Sequence, residues 1–335
     1  MSGGKILVIR GGAIGDFILT LPVLSALRNH FPQARLAVLG YPHIAQLALA
    51  GGLADEVHSI EARPLAGFFA QHGTLAQELQ DYFAGFAVIL SYLYDPDEIF
   101  QSNVARCSPA QFIACRHRPD EKLRLHATEV FLKPLERLAI FSADPVPRLN
   151  LAPRDPSRLP ARAPGSPNFE PNGLPSGHPA AWAESHWLAV HPGSGSEGKN
   201  WPEARWTELL QSLAQTTTWQ FLLVGGEAEE GRLERLARAL PEPRIEWARN
   251  LALPELARRL AACSAFLGHD SGITHLAAAV GLPGLVLWGE SVETVWRPLS
   301  EGMTILREPG GLAQLPVARV RDQLDAFVGN DLSGR

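Results

Sequence analysis

Short apolar runs alternate with amphipathic stretches through the first 150 residues of the chain. The runs are rich in Val, Ile and Leu and are bounded by glycine or polar residues, which is typical of buried strands. The stretches between them place apolar side chains at helical spacing. This pattern predicts strands at residues 5–10, 35–39, 57–60, 87–90 and 112–115, and helices at 17–31, 43–50, 74–83 and 127–140.

The same alternation restarts in the second half of the chain. It predicts strands at residues 187–191, 219–224, 245–247, 265–268 and 285–288, with the last of these closing the apolar strands. Helices are predicted at residues 203–215, 229–240, 253–262 and 276–280, and a final amphipathic helix at 317–328. Strands that alternate with helices form parallel sheets. The fold class is therefore α/β, with two doubly wound, Rossmann-like halves.

A stretch rich in proline and glycine separates the two halves, and a chain of 335 residues is long enough for two domains. The predicted organisation is an N-terminal domain at 1–150, a linker or insertion at 151–181, and a C-terminal domain at 182–316. The last segment, 317–335, is a C-terminal helix and a candidate to pack back on the N-terminal domain.

Charge and cysteine content exclude several classes of protein. The net charge of −5 does not suggest a nucleic-acid partner. The three cysteines form no CxxC pair, which argues against a disulfide framework or a structural zinc site and favours the cytoplasm. The first apolar run is too short for a signal peptide, and the longest uncharged run, 271–289, is interrupted by glycine and proline. Any membrane contact is expected to be peripheral.

The most informative stretch is 268–275, Gly-His-Asp-Ser-Gly-Ile-Thr-His, between a predicted strand and a predicted helix. Free backbone N–H groups and the dipole at a helix start favour an anion, most often a phosphate. Asp270, Ser271, Gly272 and His275 are therefore candidate ligand contacts. The alternative is an ordinary helix cap that binds nothing.

Residues 193–200, Gly-Ser-Gly-Ser-Glu-Gly-Lys-Asn, come within one residue of a P-loop. Asn200 stands where a Ser or Thr would hold Mg²⁺, and a Trp-Pro pair follows where the helix should already be running. We favour a loop in which Ser194, Gly195 and Lys199 meet phosphates in another way. A solvated loop with a surface lysine is the simpler alternative.

Residues 11–16, Gly-Gly-Ala-Ile-Gly-Asp, follow the first strand. The glycines do not match the GxGxxG fingerprint, and the second strand ends without an acid for a ribose, so a nicotinamide site is not expected. The glycines would instead let another molecule approach Asp16 closely. The alternative is a helix with Asp16 as its N-cap.

Two further clusters have simple explanations. Asp95-Pro96-Asp97 is formally a DxD metal motif, but Asp95 as a helix N-cap, with Pro96 at the first helical position, explains it better. Basic residues gather at Arg116, His117, Arg118, Lys122 and Arg124. They could bind an acidic acceptor or form a solvated charge run.

Taken together, three motifs resemble the ADP-heptose:lipopolysaccharide heptosyltransferases of glycosyltransferase family 9. The opening strand with Gly15-Asp16 and the following Leu-Thr-Leu-Pro resembles the family's first motif. His-Pro-Gly-Ser-Gly at 191–195, continuing through Lys199 to Trp206, is similar to its phosphate loop. Asp270-Ser271-Gly272 with His275 resembles its Asp-Thr/Ser-Gly-x-x-His block. The motifs occur in the right order over nearly the whole chain.

The resemblance implies a GT-B fold with two domains facing each other across a cleft, and an inverting transfer without metal or cofactor. It implies Asp16 as general base. Contacts to an ADP-heptose donor are implied for Ser194, Gly195, Lys199, Glu229, Asp270, Ser271, Gly272 and His275, with Glu229 on the ribose. Acceptor contacts are expected at Gly12, Arg116, Arg118 and Lys122.

The implied acceptor is an anionic glycolipid or oligosaccharide of the lipopolysaccharide core, and the implied location is the cytoplasm, at the inner face of the membrane. Two other functions stay open at this point. A P-loop-like hydrolase would need Mg²⁺, and a nucleotide-binding module without catalysis would bind ADP but transfer no sugar.

Overall fold

The structure is a computed structural model that describes residues 4–151 and 186–331. The predicted linker at 151–181 lies outside the described residues, except for Leu151. The chain divides into two units, the first formed by Met1–Asn150 with Ser291–Ser300 and the second by Leu151–Glu290 with Glu301–Arg335.

The first unit is built on a five-stranded parallel sheet in the order β3-β2-β1-β4-β5. Its strands are β1 Lys5–Arg10, β2 Arg35–Gly40, β3 Glu56–Ser59, β4 Val88–Ser91 and β5 Gln111–Ala114. Strand β1 pairs with β2 on one side and with β4 on the other. The chain therefore changes direction across the sheet next to β1, and ligands of such sheets bind beyond the carboxyl ends of the strands at this point.

Helices cover the first sheet between its strands. They are α1 Ile14–Ile18, α2 Leu21–His30, α3 Pro42–Ala50, α4 Gln77–Ala84, α5 Ile99–Ala105 and α6 Ala127–Leu132, with 3₁₀ turns at Arg63–Phe69, Glu121–Leu123 and Lys133–Leu138. The buried core combines aliphatic strand residues with a group of phenylalanines, Phe68, Phe83, Phe86 and Phe100.

The second unit is built on a six-stranded parallel sheet in the order β11-β10-β9-β6-β7-β8. Its strands are β6 Trp187–His191, β7 Gln220–Gly225, β8 Ile245–Arg249, β9 Ala265–His269, β10 Gly284–Trp288 and β11 Met303–Arg307. Its helices are α7 Glu203–Thr216, α8 Glu230–Ala237, α9 Leu253–Ala261, α10 Gly272–Ala279 and α12 Val317–Asp331, with 3₁₀ turns at Glu197–Lys199, Glu227–Glu229, Glu242–Arg244 and Leu312–Gln314. The alternation of strands and helices therefore confirms the predicted α/β class.

Two predicted helices are each divided in the structure, and proline explains both divisions. The helix predicted at 17–31 is split into α1 and α2 because Pro22 has no N–H for the carbonyl of Ile18. Thr20 lies at the break, and its hydroxyl donates to the carbonyl of Asp16 at 2.8 Å. The helix predicted at 127–140 becomes 3₁₀ from Lys133 because Pro134 interrupts the ladder in the same way.

Asp95 caps a helix, but not in the predicted position. Its carboxylate oxygens accept the backbone N–H groups of Phe100 at 3.1 Å and Gln101 at 3.0 Å. Helix α5 begins only at Ile99, so Pro96 lies before the helix and not at its first position. The carboxylate is therefore occupied by backbone donors.

The end of the chain contains one strand that was not predicted. Strand β11 lies at a sheet edge, where a mixture of buried, intermediate and exposed residues leaves no continuous apolar run. The final helix, α12, packs within the second unit. Its Val320 and Leu324 join the core with Trp206 and Leu209 of α7, and Arg321 donates to the Ser212 hydroxyl at 2.9 Å. The described side chains of this helix thus contact the second unit as far as Asp325, and packing of the helix on the N-terminal domain stays a prediction.

A different segment returns to the first unit. Ser291–Ser300 contains a short helix, α11 Glu293–Trp296, that the sequence did not predict. The indole N–H of Trp296 donates to Glu121 at 2.9 Å, and Nε2 of His126 lies 2.8 Å from the carbonyl oxygen of Arg297. The first unit is thus completed by residues that follow β10 in sequence.

Within the described residues, no helix combines the length and apolar character that crossing a membrane requires.

Candidate functional site

Three loops of the second unit meet at the carboxyl edge of its sheet. They follow β6, β7 and β9, which are neighbours in the order β9-β6-β7. His191, the last residue of β6, is in register with Gly268 near the end of β9. The loops at 192–202, 226–229 and 270–272 therefore begin at the same level, which brings together residues far apart in sequence.

Lys199 and Asp270 form an ion pair in this region. Nζ of Lys199 lies 3.0 Å from Oδ2 of Asp270, and the Lys side chain is 38% exposed while that of Asp270 is 10% exposed. The lysine therefore neutralises a nearly buried carboxylate and still reaches solvent. An incoming phosphate would compete with Asp270 for this ammonium group.

Ser271 caps helix α10 in the way its sequence suggests. Its Oγ accepts the backbone N–H of Thr274 at 3.3 Å and lies 3.4 Å from Nδ1 of His191. Gly272 is the first residue of the helix, and His275 is buried within it. Asp270, Ser271 and Gly272 thus surround a helix N-terminus, where the dipole favours an anion.

Glu229 reaches the same edge from the loop after β7. Its Oε2 accepts the N–H of Gly226 at 2.9 Å. A Cβ atom added to Gly193 would lie 2.4 Å from Cγ and 2.5 Å from Oε1 of Glu229. The carboxylate therefore packs directly on the backbone of the β6 loop, and only glycine leaves room for it there.

This close packing gives a direct test of Glu229. We expect Gly193→Ala to push the carboxylate from its place and to weaken ADP binding, because Glu229 would no longer be positioned for a ribose. Titration calorimetry with ADP measures the effect. Gly198→Ala is a matched control, since no atom lies within 4 Å of its added Cβ. Equal ADP affinity in both variants would remove Glu229 from the donor site.

The other residues predicted to bind the ADP-sugar lie in the loop after β6, at 192–202. The hydroxyl of Ser194 donates to Oδ1 of Asn200 at 2.8 Å, which holds the loop closed. Gly195 is exposed, has a positive φ of 70°, and would have open space around an added Cβ. Lys199 ends a short 3₁₀ turn, and helix α7 begins four residues later. This differs from a P-loop, in which the lysine opens a long helix.

Two buried histidines support the loops and were not singled out from the sequence. His269 is fully buried, and its Nε2 accepts the backbone N–H of Trp201 at 2.8 Å. Burial lowers its pKa to about 3, and neighbouring His191 contributes in the same direction. Burial also lowers the pKa of His191 to about 4, against the attraction of the Glu229 carboxylate. Both rings are neutral at pH 7.

These lowered pKa values predict acid sensitivity. The unfolded chain binds protons to both histidines near pH 6.5, whereas the folded chain does not. The contribution of the two neutral histidines to the free energy of unfolding is therefore complete above about pH 6.5, and it is lost as the pH falls toward 4. We expect the denaturant midpoint of the second unit to fall over this window, and to fall less in His269→Gln, whose amide can accept from Trp201. An unchanged pH profile in that variant would contradict this assignment.

In the first unit, Asp16 lies in α1 just beyond the carboxyl end of β1. It is the third residue of the helix and not the N-cap, which is Ala13. Its Oδ2 accepts the N–H of Ala13 at 3.3 Å, and its side chain is 31% exposed. Gly12 has a positive φ of 100°, and an added Cβ would lie 3.1 Å from Oδ2. One face of the carboxylate is thus held by the backbone, and the other reaches solvent.

Arg10 contacts Asp16 and was not predicted as a site residue. Its side chain is 2% exposed, and Nη2 lies 3.6 Å from Oδ1 and 3.3 Å from the carbonyl oxygen of Asp16. Its guanidinium stacks on Phe131 and Tyr92, with centroid distances of 4.5 and 5.5 Å. Burial lowers the pKa of Arg10, and the Asp16 carboxylate opposes that shift. A charged residue at the end of an otherwise apolar strand was the available signal.

The predicted acceptor residues lie on the surface near this arginine. The second guanidinium nitrogen of Arg10, Nη1, donates to the carbonyl of His117 at 2.8 Å, so Arg116 and Arg118 flank a residue tied to β1. Arg116, Arg118 and Lys122 are all exposed. Arg118 lies 3.4 Å from Glu121 and 5.6 Å from the ring of Trp296.

Within residues 4–151 and 186–331, no group of three or more His, Cys, Asp or Glu side chains is arranged to hold a metal ion.

The two α/β units, each built on a parallel sheet, have the architecture of the GT-B fold, as predicted. Among solved structures, E. coli ADP-heptose lps heptosyltransferase II is similar with a TM-score of 0.72 and 18% identity, over 98% of this chain and 99% of that chain. At this identity the likeness supports the fold alone.

Residues 147–331 match the family described as glycosyltransferase family 9 (heptosyltransferase). The match covers more than half of the 335 residues, and the chain belongs to this family. The Haemophilus influenzae lipooligosaccharide heptosyltransferase 2 is 35% identical over 113 residues, which are 32% of each chain. Lipopolysaccharide heptosyltransferase 3 of Escherichia coli is 20% identical over 94% of this chain and 92% of its own length.

Proposed function

We propose that the protein transfers a heptose, or a related sugar, from an ADP-sugar to an anionic glycolipid or oligosaccharide of the lipopolysaccharide core. The observation that carries this proposal is the convergence of Lys199, Asp270, the α10 N-terminus and Glu229 at one edge of the second sheet. This group offers a cation and free N–H groups for a diphosphate and a carboxylate for ribose hydroxyls. The donors named for family relatives support the choice of ADP-heptose.

In the proposed reaction, the bond between the sugar C1 and the ADP oxygen breaks, and a bond between C1 and an acceptor hydroxyl oxygen forms. Asp16 takes the hydroxyl proton as the new bond forms, which makes a poor nucleophile a better one. Attack opposite the departing ADP inverts the configuration at C1. The 31% exposure of Asp16 leaves a carboxylate oxygen accessible for this role.

The residues of the second unit act on the leaving group. ADP gains negative charge as the bond to C1 breaks. Lys199 and the N–H groups that start α10 are placed to stabilise charge of this sign, without a metal ion. Asp270 keeps the lysine oriented until the diphosphate arrives. Ser194, Gly195, Gly272 and His275 complete the proposed donor contacts.

On the acceptor side, we assign Gly12, Arg116, Arg118 and Lys122 to an anionic sugar or phosphate. The three basic side chains are exposed, and Gly12 leaves the approach to Asp16 open. A cytoplasmic location with peripheral contact at the inner face of the membrane is part of the proposal, because the acceptor is a glycolipid.

A panel of nucleotide sugars tests the proposal. We expect transfer from ADP-heptose to a core oligosaccharide acceptor, detected by mass spectrometry, and undiminished transfer in the presence of EDTA. ADP binding without transfer to any acceptor would favour a non-catalytic module. ATP hydrolysis that EDTA abolishes would favour the P-loop-like hydrolase and refute the proposal.

A further inference from the structure

A surface turn of the first unit alternates basic and apolar residues, and the proposed reaction leaves its apolar part unexplained. The turn consists of Lys122, Leu123, Arg124 and Leu125, and all four residues are exposed. Leu123 is 56% exposed and Leu125 49%. Single exposed leucines are common on protein surfaces, but two exposed leucines that alternate with cations in one short turn indicate an interaction surface.

The acids next to the turn have other partners. Oδ1 of Asp120 accepts the backbone N–H of Lys122 at 3.0 Å. Oε1 of Glu121 accepts the indole N–H of Trp296 at 2.9 Å and lies 3.4 Å from Arg118. Neither carboxylate therefore forms an ion pair with the ammonium group of Lys122.

Three basic side chains remain available. In the part of the chain that the structure describes, Arg116, Lys122 and Arg124 have no hydrogen-bond or ion-pair partner for their side chains. The whole chain carries a net charge of −5, so this local concentration of positive side chains has the opposite sign to the net charge. Such a surface is complementary to an anionic partner.

The turn is held at both ends. Before it, the carbonyl oxygen of His117 accepts from Arg10 at 2.8 Å. After it, His126 is buried, with Nδ1 at 2.8 Å from the Thr128 hydroxyl and Nε2 at 2.8 Å from the carbonyl oxygen of Arg297. The exposure of the two leucines is therefore imposed by a fixed backbone.

A further exposed amphipathic side chain lies beside His117, which precedes the turn in sequence. Tyr94 is 74% exposed, and its ring meets that of His117 edge-on at 4.8 Å. Tyrosine combines an apolar ring with a polar hydroxyl and suits the boundary between lipid and water.

We propose that the 122–125 turn docks the enzyme on an anionic lipid bilayer. Leu123 and Leu125 enter the apolar boundary and Arg124 meets a lipid phosphate, while Arg116 and Lys122 keep their proposed contacts to the acceptor. A four-residue turn is much smaller than the roughly 800 Å² that each partner contributes to a stable protein interface, but it is sufficient for peripheral membrane contact. The inference deepens the proposed function, on which it rests for the lipid character of the acceptor.

Co-sedimentation of the full chain with vesicles tests this surface. We expect binding to phosphatidylglycerol-containing vesicles that weakens with salt, and little binding to phosphatidylcholine alone. Leu123→Ser with Leu125→Ser should weaken binding about tenfold, and Arg124→Gln about fivefold. Phe141→Ser, which changes another exposed residue, and Arg238→Gln, which removes an exposed cation of the second unit, should bind as the wild type does.

The proposal is overturned if the wild type ignores anionic vesicles, if the leucine variant binds them normally, or if Phe141→Ser loses binding instead. It is also overturned if sedimentation velocity shows that the leucine variant merely dissociates a dimer. Circular dichroism verifies that each variant is folded. Transfer from ADP-heptose to an acyl-free core oligosaccharide separates the two proposals. Vesicle binding without transfer refutes the proposed function alone, and transfer without vesicle binding refutes the docking surface alone.

Discussion

Replacement of Asp16 by asparagine is expected to reduce sugar transfer by about 10²–10⁴-fold, the usual contribution of a general base. The amide keeps the shape of the side chain and can still accept the N–H of Ala13, which Oδ2 accepts at 3.3 Å in the native chain. It cannot take a proton from the acceptor. Donor affinity should therefore barely change, whereas the melting temperature should fall somewhat, because the buried Arg10 guanidinium loses its counter-charge. The measurement is turnover with the ADP-sugar donor saturating.

Asp97→Asn provides a matched control, because it makes the same chemical change at an exposed position of the same unit. It should transfer sugar at the wild-type rate. Near-normal turnover in correctly folded Asp16→Asn would remove Asp16 from the mechanism. In that case the carboxylate would serve only to fix the loop between β1 and α1.

The second large effect is expected at Lys199. Lys199→Ala removes a charge-assisted contact to phosphate, worth about 1.5–3 kcal/mol, or roughly ten- to a hundredfold in donor affinity. The structure favours the upper part of this range, because Asp270, whose side chain is 10% exposed, would lose its cation and face the diphosphate with an uncompensated charge. Calorimetry with ADP measures the change.

A double variant separates the contribution of the Lys199 contact to ADP affinity from the effect of repulsion by Asp270. Asp270→Asn in the Lys199→Ala background removes the unpaired charge and should restore part of the ADP affinity. If Lys199→Ala binds ADP as tightly as the wild type, Lys199 is only the surface partner of Asp270. If the double variant binds no better than the single one, repulsion from Asp270 contributes nothing to the loss.

The sequence was sufficient for the α/β class because buried parallel strands are continuous apolar runs, as in β1 and β6. It was insufficient where a strand is only partly buried or where a proline interrupts a helix. Strand β11 lies at a sheet edge and mixes buried, intermediate and exposed residues, so its hydrophobic pattern is weak. The break between α1 and α2 follows from Pro22, although the apolar spacing continues through it.

The loops of the candidate site could be predicted from the sequence, but the contacts between them could not. Each loop is recognised because glycine, a hydroxyl residue and an acid follow a strand, as at Asp270 and Ser271. The contacts between loops cannot be predicted in this way. Lys199 and Asp270, for example, are 71 positions apart in sequence and come together only because their strands are neighbours in the sheet. Arg10 was missed because a strand-terminal arginine usually reaches water, and only the packing of Tyr92 and Phe131 shows that this one is buried.

The membership of Ser291–Ser300 in the first unit affects how family members can be recombined. A chimaera cut once, after Asn150, would combine Glu121 and His126 of one parent with the Trp296 and Arg297 positions of another. The unit of exchange is therefore discontinuous, 1–150 together with 291–300. A chimaera that exchanges the donor preference of two relatives should therefore take residues 291–300 from the same parent as residues 1–150.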